Sequence, residues 1–237
     1  MRIHRTAGLL VSMALLVTGG AVMAEREFGT TGSPERPLAA SVPSAAAARP
    51  PGPPREAGSS PLGGPGVPVR VDIPMATTNH PNGVTAPVSS HPLTASGALF
   101  VPPQPHELSW SNVDAAPAAD HGSAIITGHV NYVINGRLVV GALSDLAEYG
   151  SRGVGQILTV DLADGRRLRY RIVGGASYNK DELAARPDLR QTLFDQDSTF
   201  GATRPSGRLV LVSCGGPYDN STGSYRDNVF VFALPVS

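Results

Sequence analysis

From Val67 onward the chain is written in short apolar runs with a period of two. Within Val67–Ile73, Val69, Val71 and Ile73 alternate with polar residues, the pattern of a half-buried strand. Gly83–Val88 and Gly97–Pro102 read as further strands between turn clusters, followed by a proline-rich connection containing Trp110. Ser123–His129 predicts a buried strand that ends on a histidine after a glycine, and Leu143–Glu148 a helical turn. The cleanest alternation flanks Asp164-Gly165, a strong hairpin signal. Leu158, Val160 and Leu162 share one face there, as do Leu168, Tyr170 and Ile172. Lys180–Phe194 predicts helix in two pieces broken at Pro187. Leu209–Val212 predicts a buried strand that delivers Cys214 onto a Gly215-Gly216 corner, where the glycines turn the backbone and leave the sulfur uncrowded. The polar turn Tyr218–Gly223 leads into a last strand, Arg226–Ala233. About eight short strands, little helix and no internal repeat predict an all-β barrel or sandwich over residues 67–237.

The N-terminal third differs. Arg2, His4 and Arg5 precede an uncharged run, Ala7–Ala24, and Glu25-Arg26-Glu27 closes it. This is the layout of a secretory signal, with small residues at Val22-Met23-Ala24 for cleavage. The run also has the length of a membrane anchor, so residues 1–24 are read as either a signal peptide or a signal anchor. Residues 25–66 are rich in Pro, Ala, Gly, Ser and Arg, with almost no large apolar side chains. Such a tract cannot bury enough surface to offset its ordering entropy, and it reads as a disordered linker.

Net charge is zero and the basic residues are scattered, which excludes the electrostatic footprint of a nucleic-acid partner. Lys180 is the single lysine among 19 basic residues, which reads as codon bias. No His/Cys cluster has metal-ligand spacing and no phosphate-binding glycine loop is present, so neither a metal nor a cofactor is expected.

Export gives the one cysteine its meaning. Outside the cytosol thiols pair, so an odd Cys is an intermolecular partner, a reactive thiol or a buried small hydrophobe. A Cys nucleophile needs a proton donor for its leaving group, usually His. His80, His91, His106 and His121 lie in connections and read as solvated surface residues. His129 ends a buried strand, as Cys214 does. Acyl transfer also needs donors at the oxyanion. Arg226 begins the next strand and shares a face with Asn228 by period two, although an arginine there could equally pair with Asp219 or Asp227 on the surface.

Thr127-Gly128-His129 after a buried strand, Val210-Leu211-Val212-Ser213-Cys214 and a following strand with Arg226 together resemble a sortase. Cys-Gly-Gly and Tyr-Arg-Asp-Asn-Val are most similar to the class F members. The likeness covers about Val67 to Ala233 and implies a closed eight-stranded β-barrel with short helices in the connections. It departs at Val210 and Ser213, where the family pattern has Thr. It implies that Cys214 attacks a threonine carbonyl in a sorting motif of LPxTG type, that His129 moves the proton and that Arg226 stabilises the oxyanion. Ser213 and Asn228 are then expected at the substrate, Asn228 as an alternative occupant of the arginine slot. The implied partners are surface proteins bearing the motif and an amine on the cell wall or another protein. The implied location is the extracellular face of the membrane or the cell wall.

Three other readings share parts of this pattern. An L,D-transpeptidase carries Ser-x-Gly-Cys, and the order Ser213-Cys214-Gly215-Gly216 argues against it. A hydrolase of the same fold would resolve the thioester with water. A non-catalytic exported β-domain would keep the Cys as a structural residue.

Overall fold

The computed structural model describes residues 66–120, 122–194 and 207–236. The stretches read above as a signal or anchor and as a linker, up to residue 65, lie outside the described residues, as do His121, residues 195–206 and Ser237. Eight strands close into a barrel in the order β1-β2-β3-β4-β9-β10-β8-β7, with β7 pairing back onto β1. They are β1 (Pro68–Ile73), β2 (Val84–His91), β3 (Leu108–Ser111), β4 (Ser123–Gly128), β7 (Ile157–Leu162), β8 (Arg167–Asn179), β9 (Arg208–Asp219) and β10 (Ser224–Val236). Pairing is antiparallel except for β2–β3 and β4–β9. The all-β closed barrel expected above is the architecture found.

Period two puts Val71, Leu158, Val160, Tyr170, Leu211 and Val231 inside the barrel, where each is fully buried. The strands β4, β9 and β10 are covered on their outer face as well. Ile125, Val210, Val212, Phe230 and Phe232 form a second apolar layer there, closed by Leu183 of α2 (Lys180–Ala185), Leu193 of α3 (Pro187–Phe194) and the Ala98-Leu99 segment. A strand buried on both faces reads as a continuous apolar run, which is why Leu209–Val212 does not alternate. Arg208, fully buried at the head of β9, donates to the Ser123 hydroxyl (3.0 Å) and the Leu193 carbonyl (2.9 Å), tying α3 to the barrel.

Several local expectations fail for tertiary reasons. Gly97–Pro102 forms no strand; it is a covering segment whose Leu99 is buried in the outer layer. Trp110 is not in a connection but on β3, with its indole N–H donating to the Ala115 carbonyl (3.1 Å). Val69 points outward because a register shift between Pro68 and Arg70 breaks the alternation of β1. The helical turn comes later than expected, as α1 (Leu146–Arg152). An additional two-stranded ribbon, β5 (Asn131–Ile134) and β6 (Arg137–Val140), leaves the end of β4 immediately after His129. Its turn is Asn135-Gly136, both with positive φ (51° and 73°), a hairpin signal as strong as Asp164-Gly165.

Candidate active site

Cys214 does not end its strand. β9 runs on to Asp219, and Gly216, at φ 69°, lies in an irregularity rather than a corner. Tyr225 pairs with Tyr218 and Asp227 with Gly215, so one extra residue on β9 is absorbed between them. The thiol is partly exposed. Directly across the ladder from it is Asn228, 6% exposed, and across the next ladder Tyr178 of β8. Residues directly opposite in an antiparallel ladder project from the same face, with Cβ atoms about 4.5–5.5 Å apart. Cys214, Asn228 and Tyr178 therefore form one row across three strands, at the open end of the outer apolar layer.

His129 reaches the same end by a different route. β4 and β9 are parallel, with Ile125 beside Val210 and Thr127 beside Val212. Two residues further along each strand direction are His129 and Cys214. The backbone of His129 is held by the Leu143 N–H, which donates to its carbonyl (3.0 Å). Gly141 passes so close that a Cβ there would lie 2.2 Å from that oxygen. The imidazole Nε2–H donates to the Pro102 carbonyl (2.6 Å), and the ring leans on Tyr132 of the ribbon at 4.8 Å. Burial lowers the His129 pKa below its ordinary value, against the opposing pull of the Pro102 bond. The resting imidazole is thereby kept neutral, with Nδ1 free of protein partners among the described residues. The ribbon base is fastened by the Asn131 amide, which donates to the Tyr225 hydroxyl.

Two expected site residues are placed differently. Ser213 projects to the inside of the barrel, 4% exposed, and its hydroxyl donates to the Gly128 carbonyl (3.0 Å). It secures β9 to the end of β4 and is not turned toward a substrate. Arg226 falls within the irregularity and has no ladder partner. Its guanidinium meets Asp219 at 3.2 Å on the exposed rim, the surface pairing left open by the sequence. Asn228, not Arg226, stands opposite the sulfur.

The residue that sequence reasoning passed over is Lys180. Its Nζ lies 3.6 Å from Cys214 Sγ and 3.0 Å from Ser224 Oγ, and the side chain is buried. The sequence held one signal for it, since a single lysine in an arginine-rich chain marks a position where the shorter, rounder cation is used. His80 and His91 are also more engaged than surface residues. His80 Nε2 is 3.0 Å from the Gly141 carbonyl, and His91 stacks on Phe100 at 4.0 Å. His106 is exposed, as expected.

Fold and site together define a closed β-barrel with a cysteine and a histidine brought level on neighbouring parallel strands. Solved structures similar to this chain are sortases of classes A and C. Sortase A from Corynebacterium diphtheriae, lid mutant, is 16% identical over 72% of this chain and 70% of that one, with a TM-score of 0.47. Sortase C-1 from Actinomyces oris is 16% identical over 72% and 73%, at 0.45. Group B Streptococcus pilus island 1 sortase C2 is 15% identical over 71% and 73%, at 0.44. No protein-family model and no curated protein matches the chain.

Proposed function

We propose that this chain is an exported cysteine transpeptidase of sortase type, with residues 1–24 directing export, 25–66 acting as a spacer and 67–237 forming the catalytic barrel. The observation that carries the reading is the meeting of Cys214, Asn228 and His129 at one end of the outer apolar layer. The reacting atoms sit at the end of the buried outer layer, and the thiol among them is partly exposed.

In the productive form the Cys214 sulfur is a thiolate and His129 an imidazolium. The thiolate attacks the carbonyl carbon of threonine in a motif of LPxTG type. The oxyanion takes hydrogen bonds from donors beside the sulfur, the Asn228 amide among them, with the Arg226 guanidinium two residues back on the same strand. As the C–N bond breaks, His129 gives its proton to the leaving glycine amine, and a thioester joins threonine to Cys214. An amine on a cell-wall precursor or another surface protein then attacks the thioester. His129 takes the proton back, a new peptide bond forms and the thiolate leaves.

The test is intact mass of the full chain mixed with Leu-Pro-x-Thr-Gly and Leu-Ala-x-Thr-Gly peptides, with and without an added amine. The expected result is a mass gain equal to the peptide truncated after threonine, absent from Cys214→Ala, and a ligated peptide when amine is present. Cleavage by Cys214→Ala would remove the nucleophile assignment. Cleavage without ligation at saturating amine would make the protein a hydrolase.

A further inference from the structure

The ammonium of Lys180 is an unusual group to find where it is. The residue is the single lysine of the chain and only 4% exposed. It opens α2 directly after Asn179, the residue that ends β8 opposite Asp227. From there its side chain folds over β10 to the β9–β10 irregularity. The Nζ lies between the Ser224 hydroxyl at 3.0 Å and the Cys214 sulfur at 3.6 Å. Among the described residues it meets no carboxylate. A buried cation without a counter-charge is costly, and a neutral hydroxyl does not supply one.

The charged and titratable groups around the pair are otherwise engaged or directed elsewhere. Asp181 and Glu182 of α2 are exposed, and Asp219 of β9 holds Arg226. Asp227 of β10 is one residue out of phase with the Cys214 row, and the row's third member, Tyr178 of β8, packs its ring edge-on against Phe230. His129 donates to Pro102. Among the described residues, the only group in hydrogen-bond reach of Lys180 that can become an anion is the thiol itself.

We infer that Lys180 is a catalytic residue whose ammonium pairs with Cys214 and holds its sulfur as the thiolate. This rests on reading Cys214 as the nucleophile, and it moves the cation of the site from Arg226 to a residue on another element. No bond to Lys180 forms or breaks. The thiol proton leaves to His129 or to water, and Lys180 stays protonated through attack, thioester formation and release. Its charge balances the sulfur before attack and again when the thioester is resolved. Lysine suits the position because a compact ammonium fits between a hydroxyl and a sulfur, where a planar guanidinium would need a wider opening.

The experiment is the rate of iodoacetamide alkylation of the full chain across pH, which reads Cys214 alone because the chain has one cysteine. Lys180→Met should alkylate at least ~10-fold more slowly at neutral pH, with the profile moved to higher pH by about one unit. Lys180→Arg, which keeps the charge, should fall between the two. Coincident profiles for Lys180→Met and the parent, with unchanged melting temperature, would overturn the pairing. Should Lys180→Met fail to fold, thiolate absorbance of the parent protein against Cys214→Ser decides instead: thiolate at neutral pH supports the pair, and its absence removes it. Neither measurement uses a peptide. A slowed alkylation beside a parent that forms no acyl-enzyme would keep the pair and reject the sortase reading; an acyl-enzyme with coincident profiles would do the reverse.

Discussion

Asn228 stands directly across the β9–β10 ladder from Cys214, and its amide has no hydrogen-bond partner among the described residues. A nearly buried amide left free beside a nucleophile is a donor held ready for a charge that is not yet there. The residue that precedes it on the same face, Arg226, is occupied by Asp219.

The first prediction separates these two. Asn228→Ala should lower kcat/KM by about 10²-fold, the usual cost of losing one oxyanion donor. Arg226→Ala should cost less, because an exposed pair to Asp219 is worth little. The reverse order, measured on the same peptide, would mean that Arg226 leaves Asp219 when substrate binds.

Gly141 tests the support of His129 without touching the thiol. A Cβ at this position would lie 2.2 Å from the His129 carbonyl oxygen and 2.6 Å from its carbon, both backbone atoms that cannot swing away. Gly141→Ala should therefore displace His129 and reduce turnover by ~10²-fold, since small misplacements of a reacting group are costly. Alkylation of Cys214 should stay close to that of the parent.

The histidine also leaves a mark on stability. Burial lowers the His129 pKa in the folded chain, so the unfolded chain binds the proton more readily between that lowered value and 6.5. The free energy of unfolding should be level at higher pH and fall as pH drops below about 6.5. His129→Gln should flatten that slope in denaturant titrations; an unchanged slope would show that the imidazole is not desolvated.

Asp161 provides an acid-side counterpart far from the site. Its carboxylate accepts first from Arg167, against some desolvation, and also from Arg70, which lowers its pKa from 3.8 to about 2. These bonds stitch β1, β7 and β8 together. Because the folded value is the lower one, the stabilisation is present above about pH 4 and is lost as pH falls toward 2. Asp161→Asn should lose stability at neutral pH and show a weaker acid dependence over that window.

Much of the molecule could be read from neighbours in sequence. The Asp164-Gly165 hairpin, the break at Pro187 and the doubly buried run Leu209–Val212 are set by turn chemistry and by periods of two and 3.6, which act over a few residues. The same rules would have found the β5–β6 ribbon at Asn135-Gly136. They also placed His129 at the end of β4 and Cys214 just after a buried run, and with them the chemistry. What they could not carry was how strands drift against each other. A single extra residue between Gly215 and Tyr218 takes Arg226 out of the ladder and leaves Asn228 facing the sulfur. Ser213 turns inward because β9 and β4 fix its parity, not because of its hydroxyl. Lys180 reaches Cys214 from 34 residues away because β8 and β9 flank the same strand. Sequence determined the strands, the thiol and the histidine, since those follow from local periodicity. Which cation meets the thiol was decided by the closure of the barrel, since only packing brings distant elements within hydrogen-bond reach.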